Sequence, residues 1–394
     1  MQASQITSTV PAMPRGLMLL FACASGLSVA NVYYAHPLLD ALAADFSIPR
    51  AGIGAVVTAT QAGCALALVL LVPLGDLLDR RRLMLVQALM LSAVLVLVGL
   101  AWSPAVLFAA MLLTGALGTA MTQGLIAYAA ASAPEHERGR VVGAAQGGVF
   151  VGLLLARVLA GGISDIGGWR AVYACSAAML MLAMLLRSGL PRLAKPSHRM
   201  EYLRLIGSMF LLLRDNRILQ VRGALALLMF AALNIFWSAM VLPLSEAPYL
   251  LSHTAIGAFG LVGAAGALSA ARAGHWADRG FTQATTFGAL VLLAVAWLPL
   301  FFLGTSLWAL VLGIVLLDLG GQAIHVTNQS MIFRSQSDGH SRVVAAYMLF
   351  YAAGSGLGAL ATTAAYAAFG WTGVCLLGAG VSLLALGVWA VALR

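Results

Sequence analysis

Long apolar runs cut by short polar breaks are the first pattern along the chain. Ala51 to Leu74 contains no ionisable side chain except Cys64, and Leu83 to Trp102 contains none at all. Each run is long enough to cross a bilayer as a helix, which takes about 20 apolar residues. Hydropathy places further runs near 17–39, 105–131, 141–163, 169–189, 221–243, 254–273, 281–304, 307–331, 343–367 and 371–393. Twelve helical spans are predicted. The first run also fits a cleaved signal peptide, with Arg15 as its basic flank and Ser28-Val29-Ala30 as a small-residue cleavage site. Asn31-Val32-Tyr33-Tyr34 returns as Asn234-Ile235-Phe236-Trp237, however, and cleavage would remove most of a helix that the second half keeps.

That return belongs to a wider repeat. The polar break Gly75-Asp76-Leu77-Leu78-Asp79-Arg80-Arg81-Arg82 reappears as Gly274-His275-Trp276-Ala277-Asp278-Arg279, 199 positions on. Gly168-Trp169 matches Gly370-Trp371, and the loop Glu135 to Arg140 matches Asp338 to Arg342. The chain is read as a six-helix bundle over 1–190, a cytoplasmic linker over 191–220 and a second six-helix bundle over 221–394. Within the linker, Tyr202, Leu205, Ile206, Met209, Leu212 and Leu213 fall at helical spacing among arginines, the pattern of an amphipathic helix lying on a membrane face.

Composition sharpens the class. Hydrophobic residues make up 62% and charged residues 9%, against about a quarter charged in a soluble domain. A formal charge of +9 would suggest a nucleic-acid partner in a soluble protein, but here its distribution decides. With the N-terminus inside, 19 of 22 Lys+Arg lie on the cytoplasmic side, as the positive-inside rule requires. Both termini are therefore expected in the cytoplasm, and the chain in the inner cell membrane as a multi-pass protein. The four cysteines, all inside apolar runs, are expected to be packed side chains.

A duplicated six-helix unit suits a carrier whose halves rock about a central site near the midplane, exposing it to each side in turn. The chain resembles the major facilitator superfamily along all twelve spans, most specifically in the Gly75…Asp79-Arg80 loop and its copy Gly274…Asp278-Arg279. The start Asn31-Val32-Tyr33-Tyr34-Ala35-His36-Pro37-Leu38-Leu39 and the Gly-Trp-Arg after span five resemble the bacterial drug:proton antiporter branch. The resemblance implies the major facilitator fold, all-α, and export driven by the proton gradient. Two positions depart from that branch: Met111 stands where it carries an arginine before Gly115, and span five lacks its Gly-Pro before Gly161-Gly162.

Candidate chemistry follows from polar groups at membrane depth, which are costly and usually functional. Asp318 and Arg157 are the charged ones, and Asp318 is the first candidate proton carrier. Arg157 has three open partners: an anionic substrate, Asp318, or backbone carbonyls at a helix break. His325, two turns beyond Asp318 on the same face, is a second titratable candidate. Asn31, Tyr34, Gln123, Asn234, Trp237, Gln322 and Asn328 are candidates for a substrate cavity with amide donors and flat apolar walls. At the cytoplasmic end, Gly75 and Gly274 are expected to let helices approach closely. Asp79 and Asp278 are expected to meet a helix N-terminus, with Arg80 and Arg279 completing an ion-pair latch. Gly354-Ser355-Gly356-Leu357-Gly358 reads as close helix packing. No phosphate-binding loop or metal-ligand spacing is present in the sequence. The expectation is a non-enzymatic secondary transporter, acting as a monomer without cofactor, that uses the proton gradient to export small organic or drug-like molecules. Proton-coupled uptake of a small anionic metabolite is one alternative, and a membrane sensor on the same scaffold another.

Overall fold

The computed structural model describes residues 13–134, 137–178, 191, 202–264, 266, 272–273, 275–276, 279–335 and 340–393. Gly274 and Asp278 of the second polar break lie outside the described residues. In chain order the helices are α1 Arg15–Tyr33, α2 Leu39–Asp45, α3 Gly54–Leu66, α4 Arg80–Gly99, α5 Pro104–Ser132, α6 Arg138–Ser176 and α7 Tyr202–Asp215. They continue as α8 Arg217–Ala239, α9 Val241–Leu244, α10 His253–Val262, α11 Thr282–Val295, α12 Trp297–Phe301, α13 Leu307–Ser335 and α14 His340–Ala392. Among the described residues there is no strand, and nine helical stretches are long and apolar enough to cross a membrane.

Polar caps punctuate these runs. Asp79 accepts from the Arg82 amide at 2.8 Å to open α4, and Asn216 accepts from the Leu219 amide at 2.9 Å to open α8. Ser103 caps α5 ahead of Pro104, and Ser252 caps α10. Each cap satisfies an amide that has no partner within its own helix and stabilises by about 1 kcal/mol. The helical path of α6 is interrupted at Gly168 (φ 75°) and that of α14 at Gly370 (φ 62°). Side-chain-bearing residues rarely adopt such φ values. The chain reverses at both. Trp371 donates to the Leu300 carbonyl at 2.7 Å, and farther along, Trp389 donates to Gln283 at 3.1 Å, so the end of α14 runs antiparallel to α11. The repeated Gly-Trp is thus a turn followed by an anchor.

The two halves pack their helices alike. A Cβ at Gly148 would collide with the Ala22 carbonyl and one at Gly152 with Gly26, so α6 runs parallel to α1 at backbone contact. In the second half a Cβ at Gly354 would collide with the Leu227 carbonyl, and one at Gly358 would lie 2.5 Å from the Ala231 carbonyl, placing α14 on α8 in the same way. The Gly354–Gly358 stretch does serve close helix packing. Close approach matters in a membrane because lipid supplies no hydrophobic drive between helices and van der Waals contact must hold them. Cys64 and Cys375 are buried, whereas Cys23 and Cys175 are exposed, against the expectation of four packed thiols.

Contacts between the halves pair α3 with α14 and α6 with α10. Thr58 donates to the Gly356 carbonyl at 2.8 Å, and the Gly54 amide to Thr363 Oγ1 at 3.2 Å. At the end of the molecule remote from the Gly75 break, here the far end, Arg50 pairs with Glu246 and His253 with Asp40. The helix α7 shows one buried residue, Met209, while Leu203 and Phe210 stay exposed, and Tyr202 donates to the Leu70 carbonyl at 2.7 Å.

Candidate functional site

Arg157 reaches the interface from α6 and is 6% exposed. Its guanidinium carbon lies 4.0 Å from the ring centroid of Trp237 in the second half and 5.6 Å from that of Tyr33 in the first. Cation–π contact of this kind, out of water, is worth about 2 kcal/mol. The Arg157 Nε is buried without a hydrogen-bond partner, a group whose isolation costs about 1–3 kcal/mol unless a ligand meets it. Asp318 of α13 is 9% exposed and feels both the charge of Arg157 and the indole of Trp237. The ion pairs among the described residues do not include Arg157 with Asp318.

Between these two charges runs the glycine row of α10 and its continuation. A Cβ at Gly257 would collide with the Arg157 carbonyl, and one at Gly260 would lie 3.2 Å from Arg157 Cδ. One at Gly263 would lie 2.5 Å from Asp318 Oδ2, and one at Gly266 would lie 3.0 Å from Gln322 Cγ. Spaced every third residue, the four glycines leave a side-chain-free track from Arg157 to Asp318. They also weaken the helix, since each glycine costs about 1 kcal/mol relative to alanine. After Val262 a turn at Gly263 interrupts the helix, with Gly263 N–H to Gly260 O at 3.2 Å and Gly266 N–H to Gly263 O at 2.9 Å. Within the span predicted over 254–273, α10 runs to Val262, and helix is described again at Ala264, Gly266, Arg272 and Ala273.

An aromatic series leads away from Arg157 toward the Gly75 end. The Tyr33 hydroxyl meets the Tyr351 hydroxyl across the halves. Tyr351 lies edge-on to Phe230 at 4.4 Å, and Phe230 edge-on to His325 at 5.4 Å. His325 stacks on Tyr347, with Nδ1 3.1 Å from its hydroxyl. His325 and Asp318 thus share α13 but serve different neighbours. On the far side of Arg157, His36 is 2% exposed, stacks on Tyr33, and places Nε2 3.4 Å from Asn234 Oδ1. Asn234 also donates to Ser355 at 2.9 Å. With Arg157 and Trp237, His36 lines a cavity of about 10 Å³, room for about one water.

Four of the expected residues gather here: Arg157, Trp237, Asn234 and Asp318, with Gln322 half-buried beside Gly266. Asn31 donates to the Leu27 carbonyl at 2.8 Å and leaves its Oδ1 buried without a partner. Gln123 is half-buried in α5. Tyr34 does not face it: its ring packs edge-on to Tyr173 of α6, inside the first half. The residue that crosses is its neighbour Tyr33, which a face count through Asn31 passes over. Asn328 is also placed elsewhere. It accepts from Arg222 at 3.4 Å and donates back to the Arg222 carbonyl at 3.2 Å. Arg222 is 3% exposed among neutral acceptors, Thr286 at 3.0 Å and Gln283 at 3.3 Å. Sequence reasoning missed this third buried charge because Arg222 stands second in the predicted span, at its edge; α8 begins a turn earlier, at Arg217, which carries Arg222 inward. Gln61, whose amide nitrogen and oxygen are both buried without partners, was also missed.

At the hinge, the close approach expected of Gly75 is not found: a Cβ there meets nothing within 4 Å. Its carbonyl is what is used, accepting from Arg80 Nε at 2.9 Å, while Arg80 also donates to the Ala127 carbonyl at 3.2 Å. Asp79 meets a helix N-terminus as expected, that of its own α4. A turn of π-helix over Ala67–Leu71 and a 3₁₀ turn over Val72–Asp76 bring the chain into this loop, the kind of irregularity that marks functional joints.

Comparison with known proteins places these features in a family. Residues 19–279 match the family model described as Major Facilitator Superfamily. The chain is 41% identical over 374 residues to the uncharacterized transporter YgaY of Escherichia coli O157:H7, covering 95% of this chain and 94% of that protein. It is 30% identical over 377 residues to the probable transporter SCO4007 of Streptomyces coelicolor, covering 95% and 86%. Among solved structures it superposes with TM-score 0.75 and 14% identity on a bacterial homolog of the human lysosomal transporter Spinster, inward-facing and unoccupied, over 96% of both chains.

Proposed function

The chain belongs to the Major Facilitator Superfamily, and we propose that this member is a twelve-span, proton-coupled carrier that exports small organic or drug-like molecules by alternating access. The observation that carries the reading is the pair Arg157 and Asp318. One comes from each half, both are buried, and a glycine track separates them. Rocking the halves changes the distance between the two charges, so the charge state of the site and the side it faces are coupled. Asp318 takes the proton, and a substrate settling between Trp237, Tyr33 and Asp318 displaces it. The reversals at Gly168 and Gly370 and the short apolar helix α10 support a count of twelve spans. The arginine distribution supports cytoplasmic termini in the inner membrane, which makes the far end the outer one. In the same reading the Asp79–Arg80 loop latches the cytoplasmic end in the opposite state.

A second reading, uptake of an organic anion together with a proton, is favoured by the unpartnered Arg157 Nε. The two readings differ in sign. A ligand competing with the proton at Asp318 gives exchange, whereas an anion held by Arg157 is best tolerated when Asp318 is neutral, which gives co-transport.

Sealed vesicles holding the purified protein, with an acid lumen and a lumenal pH dye, test this. Lipophilic cations and small organic anions are added outside in turn. Exchange predicts substrate-triggered alkalinisation of the lumen that is lost in Asp318→Asn. Alkalinisation that survives Asp318→Asn would remove that residue as the carrier. Acidification on adding an anion, without an imposed gradient, would favour co-transport.

A further inference from the structure

We propose that His253 is a proton-binding site separate from the Arg157–Asp318 pair, and that the proton it takes from outside holds the outer end of the carrier shut. The inference rests on the alternating-access reading above. His253 opens α10 in the second half. Its Nε2 lies 3.0 and 3.1 Å from the two carboxylate oxygens of Asp40 in α2, and its Nδ1 lies 3.3 Å from Asp165 Oδ1 in α6. Both carboxylates belong to the first half. Asp165 also accepts from the backbone amides of His253 at 3.0 Å and Thr254 at 2.8 Å, and from the Thr254 hydroxyl at 2.5 Å. It therefore caps α10 across the interface and fixes the imidazole between two anions.

The ring's protonation decides whether this arrangement holds. A neutral imidazole has one N–H. Donated to Asp40, it leaves the other nitrogen's lone pair facing Asp165, and donated to Asp165 it leaves one facing Asp40. Only the imidazolium donates to both. Among the described residues, the charged groups facing the ring are these two carboxylates. The other cross-half pair at this end, Arg50 with Glu246, joins opposite charges that largely offset each other. The His253 side chain is 23% exposed, so protons reach it directly from the aqueous side.

Hydrogen bonding to Asp40, opposed by burial and assisted by the charges of Asp40 and Asp165, raises the imidazole above its ordinary range in the closed state. When the halves part, the ring leaves both carboxylates and returns to its ordinary value of about 6.5. The sign follows. The contribution to closure is fully present below about 6.5 and is lost as pH rises through the raised value. A proton arriving from an acid exterior closes the outer end, and its loss lets that end open. Each pKa unit between the two states changes the closed-to-open ratio about tenfold.

The test uses the full chain in lipid nanodiscs with its native cysteines replaced by serine. Spin labels are placed at Ala44→Cys and Phe369→Cys, exposed positions on opposite halves at this end. Electron-spin distance measurements from about pH 5.5 to about pH 8.5 then report closed and open populations. The expected result is a closed population that falls about tenfold in ratio across that range, with a midpoint above the ordinary imidazole value. His253→Gln should abolish this dependence. Asp40→Asn, which keeps the imidazole, should shrink this pH-dependent change and bring its midpoint down toward the ordinary imidazole value. Two populations whose pH dependence is unchanged in both variants would overturn the inference and leave alternating access standing. A single distance at every pH in every variant would overturn both.

Discussion

Arg157 owes its place to rings and to the absence of side chains around it. The Trp237 face 4.0 Å away holds the guanidinium where a ligand can meet the buried Nε. Trp237→Leu keeps apolar bulk but removes the ring, and the loss of about 2 kcal/mol predicts roughly a thirtyfold rise in half-saturating substrate concentration. Concentration-dependent flux in vesicles checks this, and Trp237→Phe should recover part of the loss. The burial of Arg157 and Asp318 was readable because charge at membrane depth is rare. Tyr33 against Tyr34 was not, since adjacent aromatic residues on a helix differ by only about 100° and partner helices decide which one crosses. His36 escaped for another reason. The 3₁₀ turn at Pro37 folds it back to 2% exposure, a position that counting from the span's end puts near the surface.

Among elements, glycines divide into two kinds that look identical in sequence. Gly75 sits in the more family-specific motif, yet a Cβ there meets nothing within 4 Å and its φ is not positive. Gly358 lies in an apolar run, and a Cβ there meets the Ala231 carbonyl at 2.5 Å. Gly75→Ala should therefore leave the folded yield and melting temperature near the parent value, whereas Gly358→Val should sharply reduce the monodisperse fraction in detergent. Size-exclusion profiles and thermal melts of the two variants check the contrast. Helix existence was legible because an apolar run of the right length has few alternatives. Boundaries were less so: a turn at Gly263, within the glycine row, interrupts the helix at a point where hydropathy alone shows no break.

For the whole molecule, the exposed ion pair between the halves at the far end is weak. Arg50 and Glu246 have side chains 60% and 44% exposed, and such a pair contributes no more than about 1 kcal/mol. Contacts of that strength can part and re-form within a transport cycle. A covalent bond cannot. Arg50→Cys with Glu246→Cys, in a background without other cysteines, should lose flux on treatment with a bifunctional thiol cross-linker that carries an internal disulfide, and recover it on reduction. Flux that persists after complete cross-linking would show that this end need not open.

The paired backbone contacts of α6 on α1 and of α14 on α8 also carry a record of descent. Ala22 in one half faces the place that Leu227 faces in the other, so the side chains have drifted while the carbonyl-to-glycine approach has stayed. What the two halves have in common at these points is a vacancy. A gene half built from the first copy twice would keep every such vacancy but lose Asp318 and His253 together. It should assemble as a bundle and sit in the bilayer, without either of the two proton-binding groups proposed above.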